Sequence, residues 1–554
     1  MSTGVNRLNY LSPQLSAGAA MSSETAAPEA QTGRLLRAAG TVGGMTLVSR
    51  VLGLLRDVAL SALLGAGMAA DAWNAAFLLP NTLRRLVGEG NISAAFIPVF
   101  ARHSTVRTEA ESWALASRFF TAVLLVAGGL SVLGMIAAPW IVSFMFPGYA
   151  AVAGKIELTT ALTRAVFGYL LFIALTAVLM GALNARHRFA AAAFTPVLLN
   201  VMILAGAWFM WGRAPAMAVW GIAAGAMAGG LLQFLFLVPF ARRLGMSVRP
   251  TWPFGDPAMG EIGRLMVPGV IGAGVIQINI LVGRQLASGL PEGSITSLYF
   301  ASRLNELTLG VFAVAVATVV LPLMAQQGAA GETKRLRDTL TFALRQVSAV
   351  TIPAAVGLVL LRHEIVGTLF EHGEFDAGAT ALTASAVWGY AIGLAAVAGV
   401  RIVIQAFYAL RDTRTPVAVA AAAMLVNLAG CLLLRGPLQN AGIALANSIA
   451  AGFAVFVLLA LMRRRLGTLG GVALVSSLLR IGFATAAMGW VVVSLSPSVT
   501  RPDAAFVEGW LRLLLLVGVG AVTYLGALAA VGAPELAELR AVGARRLPDT
   551  LDDV

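Results

Sequence analysis

The chain is a series of long apolar segments separated by short polar turns. Runs of roughly 20 apolar residues are long enough to cross a hydrocarbon core as an α-helix, and counting them predicts fourteen transmembrane helices. The second predicted helix is too long for one straight span, and Pro80, Gly88 and Gly90 are positions at which it can bend. The pattern therefore predicts an all-α polytopic membrane protein.

Short sequence patterns recur at a separation of about 220 residues. Thr195-Pro196-Val197 and Thr415-Pro416-Val417 each follow a basic turn and begin an apolar helix, and Pro98 and Pro322 lie at a comparable separation. Such a repeat predicts two six-helix halves of parallel topology followed by two further helices. The predicted divisions are a disordered cytoplasmic tail (1–33), an N-terminal lobe (34–245), a C-terminal lobe (246–466), two additional helices (467–535) and a second cytoplasmic tail (536–554).

Composition agrees with a membrane location. Hydrophobic residues make up 58% of the chain and charged residues only 12%, whereas soluble proteins carry about 25% charged residues. The net charge of +13 fits arginine-rich loops that face anionic headgroups better than it fits nucleic-acid binding. Alternate predicted loops hold most of the arginines, so both termini are expected in the cytoplasm.

Several arginines lie inside predicted spans, where each costs about 2.5–3.5 kcal/mol on insertion scales. Some lie near helix ends, where the side chain can reach the interface. The ones that resist this explanation are Arg50, Arg56, Arg84, Arg85 and Arg303, and Arg284 and Arg401 are two further candidates.

Four carboxylates are close enough in sequence to neutralise these arginines. Arg50 and Asp57 share a helix face, Arg85 and Glu89 are spaced i, i+4, and Arg303 and Glu306 are spaced i, i+3. Asp71 stands at the entrance of the second helix. Structural ion pairing would leave arginine in excess. A water-filled cationic cavity that binds an anion is the alternative that we favour, because guanidinium groups suit phosphate oxygens.

Motifs of catalysis and metal binding are absent from the sequence. The four histidines are scattered, and the single cysteine, Cys431, excludes a disulfide framework and a cysteine-based metal site. We therefore expect a transporter that uses no cofactor or metal ion. An intramembrane transferase, a cationic-drug exporter with unpaired carboxylates, and a non-transporting scaffold fit the charge pattern less well.

One long stretch resembles a known family. The segment SRVLGLLRDVALSALLGAGMAADAWNAAFLLPNTLRRLVGEGNISAAFIPVF closely resembles the N-terminal signature of the MurJ (MviN) family of lipid II flippases. The resemblance continues through LNARHRFAAAAFTPVLLN, LASGLPEGSITSLYFASRLNEL and FYALRDTRTPV, and it covers roughly residues 35 to 535.

The resemblance implies a function for the cationic residues. It implies a flippase of the bacterial inner membrane that moves undecaprenyl-pyrophosphoryl disaccharide-pentapeptide outward by alternating access, for cell wall synthesis. Arg50, Arg56, Arg84, Arg85 and Arg303 would then bind the substrate. Asp57, Asp71, Glu89 and Glu306 would supply supporting charge or gating, and the last two helices would form a groove for the lipid tail.

Further expectations concern energy and partners. Membrane potential could drive the movement of an anionic substrate, and no coupling ion can be read from the sequence. Membrane lipids and the cell wall synthesis machinery are candidate partners, nucleic acid is not, and a monomer is expected. Two departures from the family pattern are Ser302 beside the cavity arginine and Gln405-Ala406 in the tenth helix. A flippase for another polyprenyl-linked polysaccharide unit is the alternative function.

Overall fold

The computed structural model describes residues 26–87, 92–246, 250–499, 506–536 and 538. Within these ranges the regular secondary structure is helical, with one short 3-10 helix at Pro147–Ala151. The α-helices, in chain order, are α1 (Ala26–Leu64), α2 (Met68–Val87), α3 (Ser93–Val106), α4 (Glu109–Met145), α5 (Lys155–Phe167), α6 (Tyr169–Ala185), α7 (Phe189–Phe209), α8 (Pro215–Arg243), α9 (Pro257–Ala287), α10 (Ser294–Ala329), α11 (Thr333–Leu360), α12 (Arg362–Phe370), α13 (Ala377–Ile392), α14 (Leu394–Ala409), α15 (Arg414–Leu466), α16 (Gly471–Val499) and α17 (Phe506–Ala530).

Short polar side chains begin several of these helices. Thr108 and Glu111 form a capping box at the start of α4, in which each side chain bonds the other residue's backbone amide. Asp256 accepts a 2.9 Å hydrogen bond from the amide of Ala258 and begins α9. Asp376 caps α13 in the same way. Local sequence therefore determines these helix starts, because the side chains satisfy amides that lack partners within the helix.

Breaks within helices explain why predicted spans and observed helices differ in number. The α5 and α6 helices are separated at Gly168, and α13 and α14 meet at Gly393 with a bend of 42°. The predicted eleventh and twelfth spans are two helical segments within α15 that meet at a kink at Gln439, whose φ is 50°. Glycine and a left-handed backbone position redirect the chain at these points.

Nine helical segments in the described ranges are long and apolar enough to cross a membrane, or ten if the bent pair α13–α14 counts as one span. The expected total of fourteen is therefore not established by length and composition. Charge is one physical reason why some helices are not apolar enough to be counted. The α1 helix carries Arg50, Arg56 and Asp57, and α2 carries Asp71 with an arginine pair. The first helix also begins at Ala26, within the stretch predicted as a tail.

Helix packing divides around the junction between α8 and α9. In the N-terminal helices, α7 packs closely on both α1 and α8. In the C-terminal helices, α15 packs on α9, α13 and α14. The last two helices, α16 and α17, pack on each other, and the Tyr524 hydroxyl of α17 donates a 2.5 Å hydrogen bond to the Ala349 carbonyl of α11. This arrangement leaves α2 and α10 facing each other, and both line the site described next.

Candidate substrate cavity

A cavity of about 480 Å³ lies between the N-terminal and C-terminal helices. It is lined by arginines from four helices, α1, α2, α9 and α10. These arginines are Arg56, Arg84, Arg85, Arg284 and Arg303. Four of the five residues predicted to bind substrate therefore face one space, and we call it the arginine cavity.

The Tyr299 hydroxyl of α10 connects the charges on either side of the arginine cavity. It accepts hydrogen bonds from Arg56 Nη2 at 3.1 Å and from Arg303 Nε at 3.2 Å, and it donates to Asp57 Oδ1 at 3.1 Å. Asp57 also pairs directly with Arg56 at 2.7 Å and lies 3.6 Å from Arg303. One carboxylate and one phenol thus orient two guanidinium groups from different parts of the chain.

Arg56 is held by a further contact from α7. Its Nη1 donates a 3.0 Å hydrogen bond to Asn200 Oδ1, and Asn200 Nδ2 in turn donates to the Ser49 carbonyl at 3.1 Å. Arg56 is 8% exposed and Asp57 is 3% exposed. Because both charges are buried and bonded, their positions are determined before any ligand arrives, which lowers the ordering cost of binding.

The arginine pair on α2 differs from this buried pair. Arg84 Nε donates a 2.9 Å hydrogen bond to Asn81 Oδ1 one turn earlier. Arg85 is half-buried and has no hydrogen-bond or ion-pair partner among the described residues. Its expected partner Glu89, and the expected hinge residues Gly88 and Gly90, lie outside the described residues, whereas Pro80 lies inside α2.

Arg50 lies in a neighbouring cavity of about 360 Å³ rather than in the arginine cavity. Its guanidinium packs against Gly310 of α10, where a Cβ atom would displace it. Glu306 and Arg401 line the same space. Glu306 pairs with Arg303 at 3.0 Å, the i, i+3 contact expected from the sequence. The described carboxylates beside these cavities, Asp57 and Glu306, are outnumbered by arginines.

Asp71 lies away from both cavities and joins α2 to α10. Its carboxylate pairs with Lys155 Nζ at 2.9 Å. It also accepts hydrogen bonds from the Gly293 amide at 2.9 Å and from the Thr296 amide at 3.0 Å. Asp71 and Lys155 are each 2% exposed. The carboxylate therefore caps the N-terminus of α10, and it does not neutralise a cavity arginine as the sequence analysis allowed.

Loops meet closely around this contact, at what we call the Asp71 end of the helix bundle (residues 65–71, 147–155, 288–296 and 371–376). The Glu374 amide donates a 2.9 Å hydrogen bond to the Ala62 carbonyl. Gly293 has φ of +84°, and a Cβ atom there would overlap the Ala66 carbonyl. Glycine allows both the backbone angle and the approach, so this end of the bundle is closed by backbone packing.

Sequence reasoning missed four residues that organise these sites. Tyr299 and Asn200 carry no charge that would distinguish them in an apolar sequence. Arg284 was not among the five arginines predicted to bind substrate, and its Nη1 donates to the Ile295 carbonyl at 2.8 Å. Lys155 is the first residue of α5. A buried lysine with a carboxylate partner 84 positions away leaves no local signal in the sequence.

The helical bundle and its central arginine-lined cavity are typical of a membrane transporter. The family model described as Lipid II flippase MurJ matches residues 60–510. The chain belongs to this family. It is therefore a transporter, not an enzyme, and a multi-pass protein of the bacterial inner membrane.

Individual relatives support this assignment. A probable lipid II flippase MurJ from Vibrio cholerae is 34% identical over 513 residues, which are 90% of this chain and 96% of that protein. A lipid II flippase MurJ from Burkholderia cenocepacia is 31% identical and covers 78% of this chain and 84% of its own length. The similarity therefore extends over most of the length of these proteins.

Solved structures agree in fold. A lipid II flippase MurJ in an inward closed conformation has a TM-score of 0.74 and 25% identity, covering 89% of this chain and 99% of that one. An inward-facing multidrug resistance MATE family transporter of the MOP superfamily has a TM-score of 0.64 at 15% identity, over 78% and 98% of the two chains. The second likeness concerns the fold alone.

Proposed function

We propose that the chain moves lipid II, an undecaprenyl-pyrophosphoryl disaccharide-pentapeptide, from the cytoplasmic to the periplasmic leaflet through the arginine cavity. The single observation that carries this proposal is the convergence of Arg56, Arg84, Arg85, Arg284 and Arg303 on one space between the two groups of helices. A pyrophosphate is the part of the substrate that calls for such a site, because guanidinium groups bind phosphate oxygens bidentately.

Arg56 and Arg85 have different tasks in this mechanism. Arg56 is oriented by Asp57, Tyr299 and Asn200, so it presents a fixed charge to the ligand. Arg85 has no partner in the described part of the chain and is available to follow the ligand. A fixed charge gives selectivity at low ordering cost, and an adaptable charge keeps the pyrophosphate bound while the helices move.

Alternating access rests on the two groups of helices acting as lobes, residues 34–245 and 246–466, with both termini in the cytoplasm. The packing of α7 on α1 in the first group and of α15 on α9 in the second is equivalent, and it supports this division. In this proposal the Asp71 end faces the periplasm, and its packed loops close the cavity on that side. Export then requires separation of Asp71 from the N-terminus of α10, while the opposite end closes. The groove beside α16 and α17 would hold the lipid tail.

The membrane potential favours outward movement of the anionic substrate, and we propose no cofactor for the transport cycle. Moving one negative charge outward across an inside-negative membrane is favourable by about 2.3 kcal/mol per 100 mV. Return of an empty cationic cavity is favoured by the same field. Dissipating the potential across proteoliposomes should therefore slow outward transfer of lipid II, and an unchanged rate would remove this part of the proposal.

The decisive experiment is complementation in bacteria depleted of their own lipid II flippase. Surface-accessible lipid II is measured for the wild type, for Arg84→Ala/Arg85→Ala, and for Arg242→Ala/Arg243→Ala at matched membrane levels. The last variant is a matched control, because it removes two adjacent arginines that are exposed at the end of α8. We expect rescue by the wild type and by the control, and failure of the α2 variant.

Two other results would change the conclusion. If the wild type is present in the membrane but lipid II does not reach the surface, the substrate is a different polyprenyl-linked glycan. If all three proteins rescue equally, the α2 arginines are structural, and the cavity proposal loses its central residues.

A further inference from the structure

A third space, of about 260 Å³, continues from the arginine cavity into the C-terminal helices. The two spaces share several lining residues, among them Arg85, Arg284 and Arg303. Beyond these arginines the third space is lined by side-chain carboxamides of α9, α10 and α15. We call these five residues the amide wall: Gln277, Asn279, Asn305, Asn427 and Asn447.

Three members of the amide wall are not used in holding the helices together. Asn427 Nδ2 donates to Asn279 Oδ1 at 2.8 Å, which joins α15 to α9. Gln277, Asn305 and Asn447 make no side-chain hydrogen bond within the described ranges of the chain, and Asn305 Oδ1 is buried without a partner there. A free carboxamide inside a membrane bundle is unfavourable unless water or a ligand bonds it.

Three amides of the N-terminal helices behave differently. Asn74 donates to the Ala70 carbonyl and to Thr296, Asn81 accepts from Arg84, and Asn200 bridges Arg56 and Ser49. These amides position helices and arginines. Free carboxamides of α9, α10 and α15 therefore lie next to the shared arginines, while Gln233 Oε1 of α8 is also buried without a partner among the described residues.

We propose that the amide wall is the subsite for the saccharide portion of the substrate, an inference that rests on the proposed function. The first saccharide is attached directly to the pyrophosphate, so a pyrophosphate bound at Arg303 and Arg284 places that saccharide beside the wall. Carboxamides donate and accept hydrogen bonds, which suits hydroxyl and acetamido groups. The arginines bind the pyrophosphate, and the amide wall selects the saccharide that is attached to it.

Glu306 argues for the saccharide over the peptide stem. It lines the third space together with Asn305, and its side chain is half exposed. A carboxylate can accept hydrogen bonds from saccharide hydroxyls, but it repels the carboxylates of an acidic peptide. Discrimination of this kind by an unfavourable contact is a common source of specificity.

Binding by the purified full-length protein tests the subsite with three ligands. They are lipid II, a lipid II analogue without the peptide stem, and undecaprenyl pyrophosphate. The variants are Asn305→Leu/Asn447→Leu and, separately, Gln277→Met, which keep side-chain size and remove the amide. Gln326→Met on the exposed end of α10 is the matched control. We expect about tenfold weaker binding of both saccharide-bearing ligands and unchanged binding of undecaprenyl pyrophosphate.

The outcomes separate the subsite from the proposed function. If the wall variants bind all three ligands as the wild type does, the subsite is wrong while the flippase proposal stands. If binding weakens only for the ligand with a peptide stem, the wall contacts the peptide and the saccharide assignment is overturned. If the wild type itself fails to bind lipid II, the proposed function fails. Retained binding of undecaprenyl pyrophosphate shows that the variants are folded.

Discussion

Asp71 on α2 and Thr296 on α10 are joined by two hydrogen bonds to the same carboxylate oxygen, from the Thr296 amide at 3.0 Å and from its hydroxyl at 2.8 Å. The other oxygen of this carboxylate binds Lys155 and the Gly293 amide. One buried side chain therefore links two N-terminal helices to the start of a C-terminal helix. Its loss should affect both stability and the closed state of this end.

Asp71→Asn should destabilise the closed Asp71 end. An asparagine keeps the size but leaves Lys155 charged and buried without its carboxylate. Breaking a buried ion pair in this way costs about 3–5 kcal/mol. We expect a lower Tm of the purified protein and faster labelling of Asn74→Cys, in a Cys431→Ala background, by a membrane-impermeant thiol reagent from the periplasmic side. Glu157→Gln is the control, because it removes an exposed carboxylate from α5, the helix that carries Lys155. Equal labelling of both variants would contradict the gating role of Asp71.

Tyr299→Phe should slow transport with little loss of stability. The variant removes the hydroxyl that orients Arg56 and Arg303, but it leaves the direct pair between Arg56 and Asp57. A hydrogen bond to a charged group contributes about 1.5–3 kcal/mol, so the rate of lipid II transfer in proteoliposomes should fall by at least tenfold. Tyr408→Phe, an exposed tyrosine near the end of α14, should transfer lipid II at the wild-type rate. A normal rate in Tyr299→Phe would show that the cavity arginines need no such orientation.

Acid should weaken the turn between α14 and α15. The Thr415 hydroxyl and amide, followed by the Arg465 guanidinium, lower the pKa of Asp412 to about 2. Because this pKa lies below the unfolded value of about 3.9, the stabilisation is complete above pH 4 and is lost as the pH falls toward 2.

The measurement for Asp412 is a comparison of Tm across pH. Asp412→Asn should have a lower Tm than the wild type at pH 6, and the difference should narrow as the pH falls from 4 toward 2. Asp338→Asn, an exposed acidic residue on α11, provides the control. A difference that stays constant over this range would mean that Asp412 ionisation does not stabilise the folded state.

Glu535→Gln should loosen the last two helices. Glu535 follows α17 and is fully buried, where it accepts hydrogen bonds from Ser477 at 2.7 Å and from Arg345 at 2.7 and 2.9 Å. Burial raises the pKa of Glu535, but the hydrogen bonds from Ser477 and Arg345 outweigh it, and the pKa lies below its usual value. The variant should lose about 2 kcal/mol of stability, measured as a lower Tm. Glu508→Gln, at the opposite end of α17, should change the Tm much less.

Ligand binding provides a second test of the role of Glu535. If α16 and α17 hold the lipid tail, Glu535→Gln should weaken binding of lipid II more than binding of a soluble pyrophosphate. Equal effects on both ligands would place the defect in the arginine cavity instead.

The positions of the cavity arginines could be predicted because charge stands out against an apolar background. Arg56, Arg84, Arg85 and Arg303 were selected as intramembrane charges, and all four line the arginine cavity. The i, i+3 pair of Arg303 and Glu306 also follows from helix geometry alone. Arg50 was chosen by the same reasoning, but the structure separates it into the adjoining space against Gly310.

The sequence by itself therefore determined the helical membrane class, the family and the helices that carry the charged residues, because hydropathy, helical spacing and a long signature are local properties. Only the tertiary structure decided the partners. Asp71 meets Thr296 across 225 positions and Tyr299 meets Asp57 across 242, and both contacts depend on how α1, α2 and α10 pack. A carboxylate can accept a hydrogen bond from any nearby donor, so its partner depends on which helices pack against each other. Local sequence patterns contain no information about that packing.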